Sequence, residues 1–211
     1  MIDPEDRSRA LAAVDVSRET LERLDRYAEL LLRWQTVKNL IGPKTIPTLW
    51  TRHIADSLQL VRLEPDALRW TDFGSGAGFP GLVVACALAG RDGAQVHLVE
   101  SNGRKAAFLR EAARVLDVPA IVHDRRVEDV VPGLVDIELV TARALAPLVD
   151  LLEMSALLLK SGARALFLKG QDVEVELTEA SKSWTLDVSV TGSVTDPGGR
   201  IVRIASAAPR H

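Results

Sequence analysis

The sequence predicts an α/β fold: a largely parallel sheet covered by helices on both faces, finished by an antiparallel hairpin and preceded by a helical extension. Three observations carry this. From Arg69 onward, short β-rich runs alternate with helical stretches, a rhythm that sets parallel strands side by side beneath helices. The last two β-rich runs are separated by Pro-Gly-Gly and no helix, which makes a hairpin. Ahead of Arg69 the apolar residues recur three and four apart, the spacing of an amphipathic helix. The expected organisation is a helical extension over residues 1–66 and an α/β domain over 67–211.

In chain order, Leu21, Leu24, Tyr27, Ala28, Leu31 and Leu32 define a helix over about 18–34, with Ser17 at its N-cap and Glu19 close behind. A Gly/Pro loop, KNLIGPKTIP, follows and is placed near the site. Leu49, Trp50, Ile54, Leu58 and Val61 share one face of a second helix from Pro47 to Val61. Strands are predicted at RWTDF, AQVHLVE, AIVHD, IELVTA and ARALFLK. The helices between them are GLVVACALAG, GRKAAFLREAARVL, APLVDLLEMSALLLK and VEVELTEASK. SWTLDVSVTGSVTD and RIVRIASA form the closing hairpin, bringing the sheet to seven strands, an ending foreign to a dehydrogenase sheet.

Composition bounds the function. The chain has 211 residues and one cysteine, Cys86, so neither an intrachain disulfide nor a Cys-rich metal site is available. Cys86 lies inside VVACAL and is read as helix packing. No apolar run approaches the ~20 residues that span a bilayer, and the charged first residues lack a signal-peptide core, so a cytoplasmic protein is expected. Net charge is −3, which does not advertise a nucleic-acid binder. The distribution is uneven: residues 1–30 hold eight acids and five bases, residues 31–70 six bases and three acids. That basic stretch suits RNA, or simply a solvated helix surface, and charge alone favours the solvated surface.

The informative motif is TDFGSGAGFPG, four glycines between a strand and a helix. Glycine costs stability unless the backbone needs positive φ or another molecule comes very close, so the turn reads as a cradle. Ligands of α/β sheets sit at the carboxyl ends of strands, where this turn lies. The dinucleotide fingerprint wants glycine at its sixth position, which here is Phe79, and no P-loop lysine follows. The second strand ends in Glu100, an acid placed to accept ribose hydroxyls or, alternatively, to cap the next helix. HDRRVEDV puts Val127 and Glu128 where an adenine edge would lie. Glycines without a basic clamp suit a nucleoside cofactor lacking a pyrophosphate, S-adenosylmethionine.

DFGSGAGFPG, the upstream NL…RHIADSL, the RVE after strand three, TARALAPL and LFLKGQ, in this order, resemble the RsmG (GidB) family of bacterial methyltransferases. The resemblance runs from about Leu21 to Ile204 and implies the class I S-adenosylmethionine-dependent methyltransferase fold. It implies methyl transfer to N7 of guanine 527, in the 530 loop of 16S ribosomal RNA, with S-adenosylhomocysteine as the other product. The partner is that RNA, naked or within the small subunit, with no metal and no membrane. By matching positions, Gly74, Gly76, Phe79, Glu100, Val127, Glu128 and Arg143 are cofactor-binding candidates. Asn39, Arg52, His53 and Lys169 are candidates for the RNA, and Asn39, Asp56 and Lys169 for positioning, with no certain catalytic group. Ile41-Gly42-Pro43 stands where the family commonly has threonine after NL.

Structural readings stand beside these. Asp56 serves equally as a helix-start residue or a partner of Arg52, His53 as packing, and Asn39 as a loop cap. Guanine N7 carries a free lone pair, so direct in-line attack needs no general base, and the protein's task is positioning. Two other classes remain open on residues alone: a nicotinamide oxidoreductase, against which the missing sixth glycine counts, and a silent RNA-binding module, which has no use for an intact glycine turn.

Overall fold

A computed structural model describes residues 2–37 and 39–210; Lys38 of the KNLIGPKTIP loop lies outside the described residues. The helices before the sheet are α1 (Asp6–Ala13), α2 (Arg18–Gln35) and α3 (Asp56–Leu63). Then follow β1 (Arg69–Phe73), α4 (Gly81–Leu88), β2 (Gln95–Val99), α5 (Gly103–Leu116), β3 (Ala120–His123), α6 (Val127–Val130) and β4 (Leu139–Arg143). The chain closes with α7 (Leu148–Lys160), β5 (Arg164–Lys169), α8 (Val173–Ser183), β6 (Trp184–Gly192) and β7 (Arg200–Pro209). The sheet has seven strands in the order β3-β2-β1-β4-β5-β7-β6. β1 to β5 pair in parallel, whereas β7 runs antiparallel to both β5 and β6, as the hairpin predicts.

From β1 the chain steps outward to β2 and β3, then crosses back to place β4 on the other side of β1. This reversal opens a crevice at the carboxyl ends of β1 and β4, into which the glycine turn and Arg143 project. Strand alternation feeds two cores. Trp70, Leu98, Leu166 and Leu168 face one side with α2, α4 and α5, and Phe73, Val140, Ala165 and Phe167 the other with α7. GLVVACAL is uniformly apolar because α4 is buried almost all round, between the sheet and α2 and α3. Cys86 is fully buried there, and burial pushes its thiol up to about 12, so it is packing.

Ser17 caps α2 as expected, its Oγ accepting from Thr20 N at 3.2 Å. The predicted single helix from Pro47 to Val61 is broken into pieces. The chain takes a 3-10 turn over Pro43–Thr48 and a π-helical turn over Trp50–Ala55 before α3 begins. Pro47 lacks the N–H an α-helix needs, and the wider π turn redirects the residues after it. Leu49, Trp50, Ile54 and Leu58 are buried nonetheless, so the apolar face is as read. α1 and α6 have no counterpart in the predicted elements. α1 contributes the wholly buried Asp6, whose carboxylate accepts from Trp50 N (2.7 Å) and Thr51 Oγ1 (2.6 Å) and thereby supplies orphan donors at the start of the π turn.

Candidate functional site

The glycine turn is held from three directions. Ser75 N donates to Val99 O at 3.0 Å and ties the turn to β2. Gly76 N donates to Glu100 Oε2 at 2.8 Å, and the buried Tyr27 hydroxyl of α2 donates to Ala77 O from behind. Gly76 has φ +58°, and a Cβ built on it would meet only Gly74 O, at 3.7 Å, so its face is open. Gly81 serves a different need. A Cβ there would lie 2.4 Å from Leu98 Cδ2 and 2.6 Å from Asp72 Cβ, so only glycine lets α4 approach β1 and β2 this closely.

Beneath the turn lies Asp72, fully enclosed at the end of β1. Its Oδ2 accepts from Gly81 N (3.1 Å) and its Oδ1 from Thr141 Oγ1 (2.9 Å), fastening the start of α4 to β4. Burial raises its pKa to about 6, against the hydrogen bonds that favour the carboxylate. Asp72 lies in the quoted motif, yet its role depends on Thr141, 69 residues away.

Above the turn opens a cavity of about 540 Å³, bounded by the π turn, the ends of β4 and β5, and the β6–β7 loop. Arg52, His53, Asp56, Arg143, Lys169 and Glu176 line it together with the glycines and Phe79. A second cavity of about 260 Å³ continues past Gly74 and Ala144 and is lined by Glu100, Val127, Glu128 and Leu145. The structure thus brings together the expected residues of the turn and strand ends, in two compartments sharing Gly74. Asn39 is the exception: it is exposed, its Oδ1 accepts from Gln35 Nε2 at 3.0 Å, and it does not line the cavity.

The polar groups of the larger cavity hold one another in place. The Arg143 guanidinium lies over the Phe79 ring at 5.1 Å, Nη1 donates to Arg52 O at 3.1 Å, and Asp56 Oδ2 is 3.8 Å away. Asp56 therefore pairs with Arg143 rather than Arg52, and its Oδ1 accepts from Ser193 Oγ, Thr195 Oγ1 and Gln59 Nε2. Burial disfavours both charged forms, raising the Asp56 pKa and lowering that of Arg143, so their attraction only partly offsets desolvation. His53 stacks on the other part of this group, its ring 4.9 Å from Phe79, with Nε2 3.0 Å from Thr45 Oγ1. Burial first, then the charges of Arg143 and Arg52, lower its pKa to about 3, so the ring is neutral. Its Nδ1 is buried without a hydrogen-bond partner among the described residues.

Glu100 braces the turn, with Oε1 accepting from Asn102 N and Oε2 from Gly76 N, both at 2.8 Å. The next helix is capped by Asn102 instead, so the capping alternative for Glu100 is not the geometry found. Each carboxylate oxygen keeps a further lone pair for a hydroxyl. Lys169 Nζ is 2.6 Å from Glu176 Oε2 and donates to Ala146 O at 2.9 Å. Tyr27, Asp72, Leu145 and Glu176 are site residues that sequence reasoning missed; only for Asp72 did the sequence carry a signal, its place at the strand end before the glycines.

These features accommodate a nucleoside: the turn offers an open glycine face, and the Glu100 carboxylate lines the second cavity beside it. Residues 20–200 match the family described as GidB, rRNA small subunit methyltransferase G. The chain is 58% identical over 202 residues to the ribosomal RNA small subunit methyltransferase G of Bradyrhizobium sp. strain BTAi1, covering 94% of this chain and 90% of that one. It is 54% identical over 204 residues to the protein of the same name from Methylobacterium nodulans, covering 95% of each. Among solved structures, the O-methyltransferase TomG from Streptomyces achromogenes in complex with SAM has a TM-score of 0.62 at 16% identity, covering 98% of this chain and 99% of that one. An O-methyltransferase from Bacillus cereus in complex with SAH also scores 0.62, at 13% identity, covering 94% and 96%. The last two establish the fold: a class I methyltransferase sheet.

Proposed function

Because the chain belongs to the rRNA small subunit methyltransferase G family, we propose that it is an S-adenosylmethionine-dependent methyltransferase of ribosomal RNA, and that its target is N7 of guanine 527 in the 530 loop of 16S RNA. The observation that carries the cofactor assignment is the open face of Gly76 at the sheet's topological switch point. Bound there, the cofactor supplies an electrophilic methyl group on a sulfonium centre. Glu100 accepts from the ribose hydroxyls while keeping its hold on Gly76 N. Val127 and Glu128 lie along the adenine side of the second cavity, and Gly74, Phe79 and Arg143 bound the entrance to the larger one.

The remaining residues position the base. Guanine N7 has a lone pair at neutral pH, so no side chain has to remove a proton, and none is poised to. Asp56 is bound by two hydroxyls, an amide and an arginine, and His53 is already neutral and stacked on Phe79. Arg52 at the cavity edge and Lys169 on its wall supply positive charge to the RNA, which a chain of net charge −3 must concentrate locally. Arg143 is rigid enough, between Phe79 and Asp56, to hold a fixed geometry at the mouth. Residues between Leu40 and Asp56 line one side of this cavity, and the helical extension to which they belong is proposed to be the part that meets the RNA.

Transfer of labelled methyl to naked 16S RNA and to small subunits, followed by mapping of the nucleotide, tests this directly. RNA with 7-deazaguanine at the target keeps O6, N1 and the 2-amino group but lacks the attacking nitrogen, and is expected to bind and accept no methyl. The transfer step is expected to be flat across roughly pH 6.5–8.5. Methylation of the deaza RNA, or a tenfold rise per pH unit, would refute N7 and move attention to N1, whose proton a base must take.

A further inference from the structure

We propose that Glu176, locked against Lys169 on the cavity wall, reads the Watson–Crick edge of the target guanine and so selects it over other purines. The inference rests on the guanine-N7 reading of the cavity. Its basis is which cavity groups have hydrogen-bonding capacity left. Arg143 lies over the Phe79 ring, donates to Arg52 O and faces Asp56 at 3.8 Å, and a guanidinium offers no acceptor to N1–H. Asp56 Oδ1 already accepts three hydrogen bonds, and its Oδ2 is turned to the Arg143 guanidinium at 3.8 Å. Lys169 spends one of its three N–H groups on Ala146 O and lies 2.6 Å from Glu176 Oε2 as an ion pair. Glu176 Oε2 accepts from Leu148 N at 2.6 Å and is ion-paired with Lys169 Nζ at 2.6 Å, whereas Oε1 accepts no hydrogen bond among the described residues.

The result is a donor and an acceptor fixed side by side. Lys169 ends β5, and Glu176 sits in the first turns of α8, anchored to the first residue of α7. Their side chains are only 11% and 24% exposed, so neither has room to swing away. A rigid donor–acceptor pair selects its mirror image on a base. Guanine presents an acceptor, O6, beside two donors, N1–H and the 2-amino group. Adenine and cytosine present a donor beside an acceptor, the opposite order. Uracil matches the first two groups but has no amine. Lys169 donating to O6 and Glu176 Oε1 accepting from N1–H and the 2-amino group satisfies guanine alone. O6 lies between N7 and N1 on the ring periphery, so this grip leaves N7 uncovered for reaction.

The test compares guanosine with inosine, which lacks only the 2-amino group, at the target position of the RNA. Single-turnover methylation is measured at saturating S-adenosylmethionine with the wild-type chain and with Glu176→Gln, which keeps an acceptor for Leu148 N. The wild type is expected to favour guanosine by roughly tenfold, the scale of a charge-assisted hydrogen bond. Glu176→Gln is expected to slow guanosine methylation by about that factor, to bring the two RNAs within threefold of each other, and to bind cofactor normally by calorimetry. A purely structural Glu176 would slow both RNAs equally and keep the preference. Wild-type rates equal on the two RNAs, or a preference that survives in the variant, overturn the role of Glu176 while leaving the N7 reading intact. No methyl at N7 of either RNA with the wild-type chain overturns both.

Discussion

Replacing Gly76 by valine separates binding from folding. A Cβ at this position would meet nothing closer than Gly74 O at 3.7 Å, so the Cβ itself makes no clash within the protein. What remains is the backbone penalty at φ +58°, about 1–2 kcal/mol for an ordinary side chain and somewhat more for a β-branched one. In a chain of this size each kcal/mol lowers Tm by roughly 2–4 °C, so the variant stays folded with Tm down by several degrees. Its two methyl groups fill the open face of the turn, and cofactor affinity is expected to fall at least about a hundredfold, or roughly 2.7 kcal/mol. Gly81→Ala is the control with the opposite profile. Its Cβ would sit 2.4–2.7 Å from Leu98 and Asp72, so overpacking of about 1–3 kcal/mol or more strikes the fold first. Calorimetry with S-adenosylmethionine and thermal unfolding read the two quantities independently. A Gly76→Val protein that binds cofactor with unchanged affinity refutes the placement of the site.

Glu100→Ala removes hydrogen bonds but no cavity wall, so cofactor binding is expected to weaken by about tenfold, and the loss of acceptors for Gly76 N and Asn102 N lowers stability by about 1–2 kcal/mol. Lys169→Ala and Arg52→Ala are expected to impair RNA methylation with cofactor affinity near normal; parallel loss of both in titration calorimetry and transfer assays counts against this division. His53, with its folded pKa depressed to about 3, contributes stability present above pH 6.5 and lost as pH falls toward 3, at about 1.4 kcal/mol per unit. Asp72, raised from 3.8 to about 6, has the opposite sign: its contribution is complete below pH 3.8 and is lost as pH rises through about 6, so the two slopes oppose each other between those values. Asp72→Asn is therefore expected to steepen the acid loss of stability by about 1.4 kcal/mol per unit in that window, and urea melts at pH 6, 5 and 4 that run parallel to the wild type would refute it.

Most elements of the sheet domain were legible because each carries its own local signal. α5 coincides with GRKAAFLREAARVL, whose buried Ala106, Leu109 and Ala112 keep helical spacing. α1 was not legible, because its buried residues are one alanine and one aspartate, which make no apolar period. The π turn at Trp50–Ala55 has the same apolar spacing as an α-helix, and nothing in a hydrophobic pattern separates them. Within the site, Gly76, Phe79, Glu100 and Arg143 announced themselves by lying at strand ends. Glu176 did not: an acid in a polar helix gains meaning only from Lys169 and Leu148, brought close by the fold. Asn39 shows the converse, since adjacency to the basic loop does not determine which way a loop residue turns.

The hydrogen bonds between α3 and the β6–β7 loop join residues far apart along the chain. Gln59 Oε1 accepts from Val194 N, and Asp56 Oδ1 from Ser193 and Thr195, across separations of 135 to 139 residues. One wall of the larger cavity is thus synthesised before the first strand, and the wall facing it after the sixth. The compartment above the glycine turn is therefore closed on this side only when the final hairpin docks against α3. A chain stopped short of Ser193 leaves Asp56 and Gln59 without these partners from the β6–β7 loop.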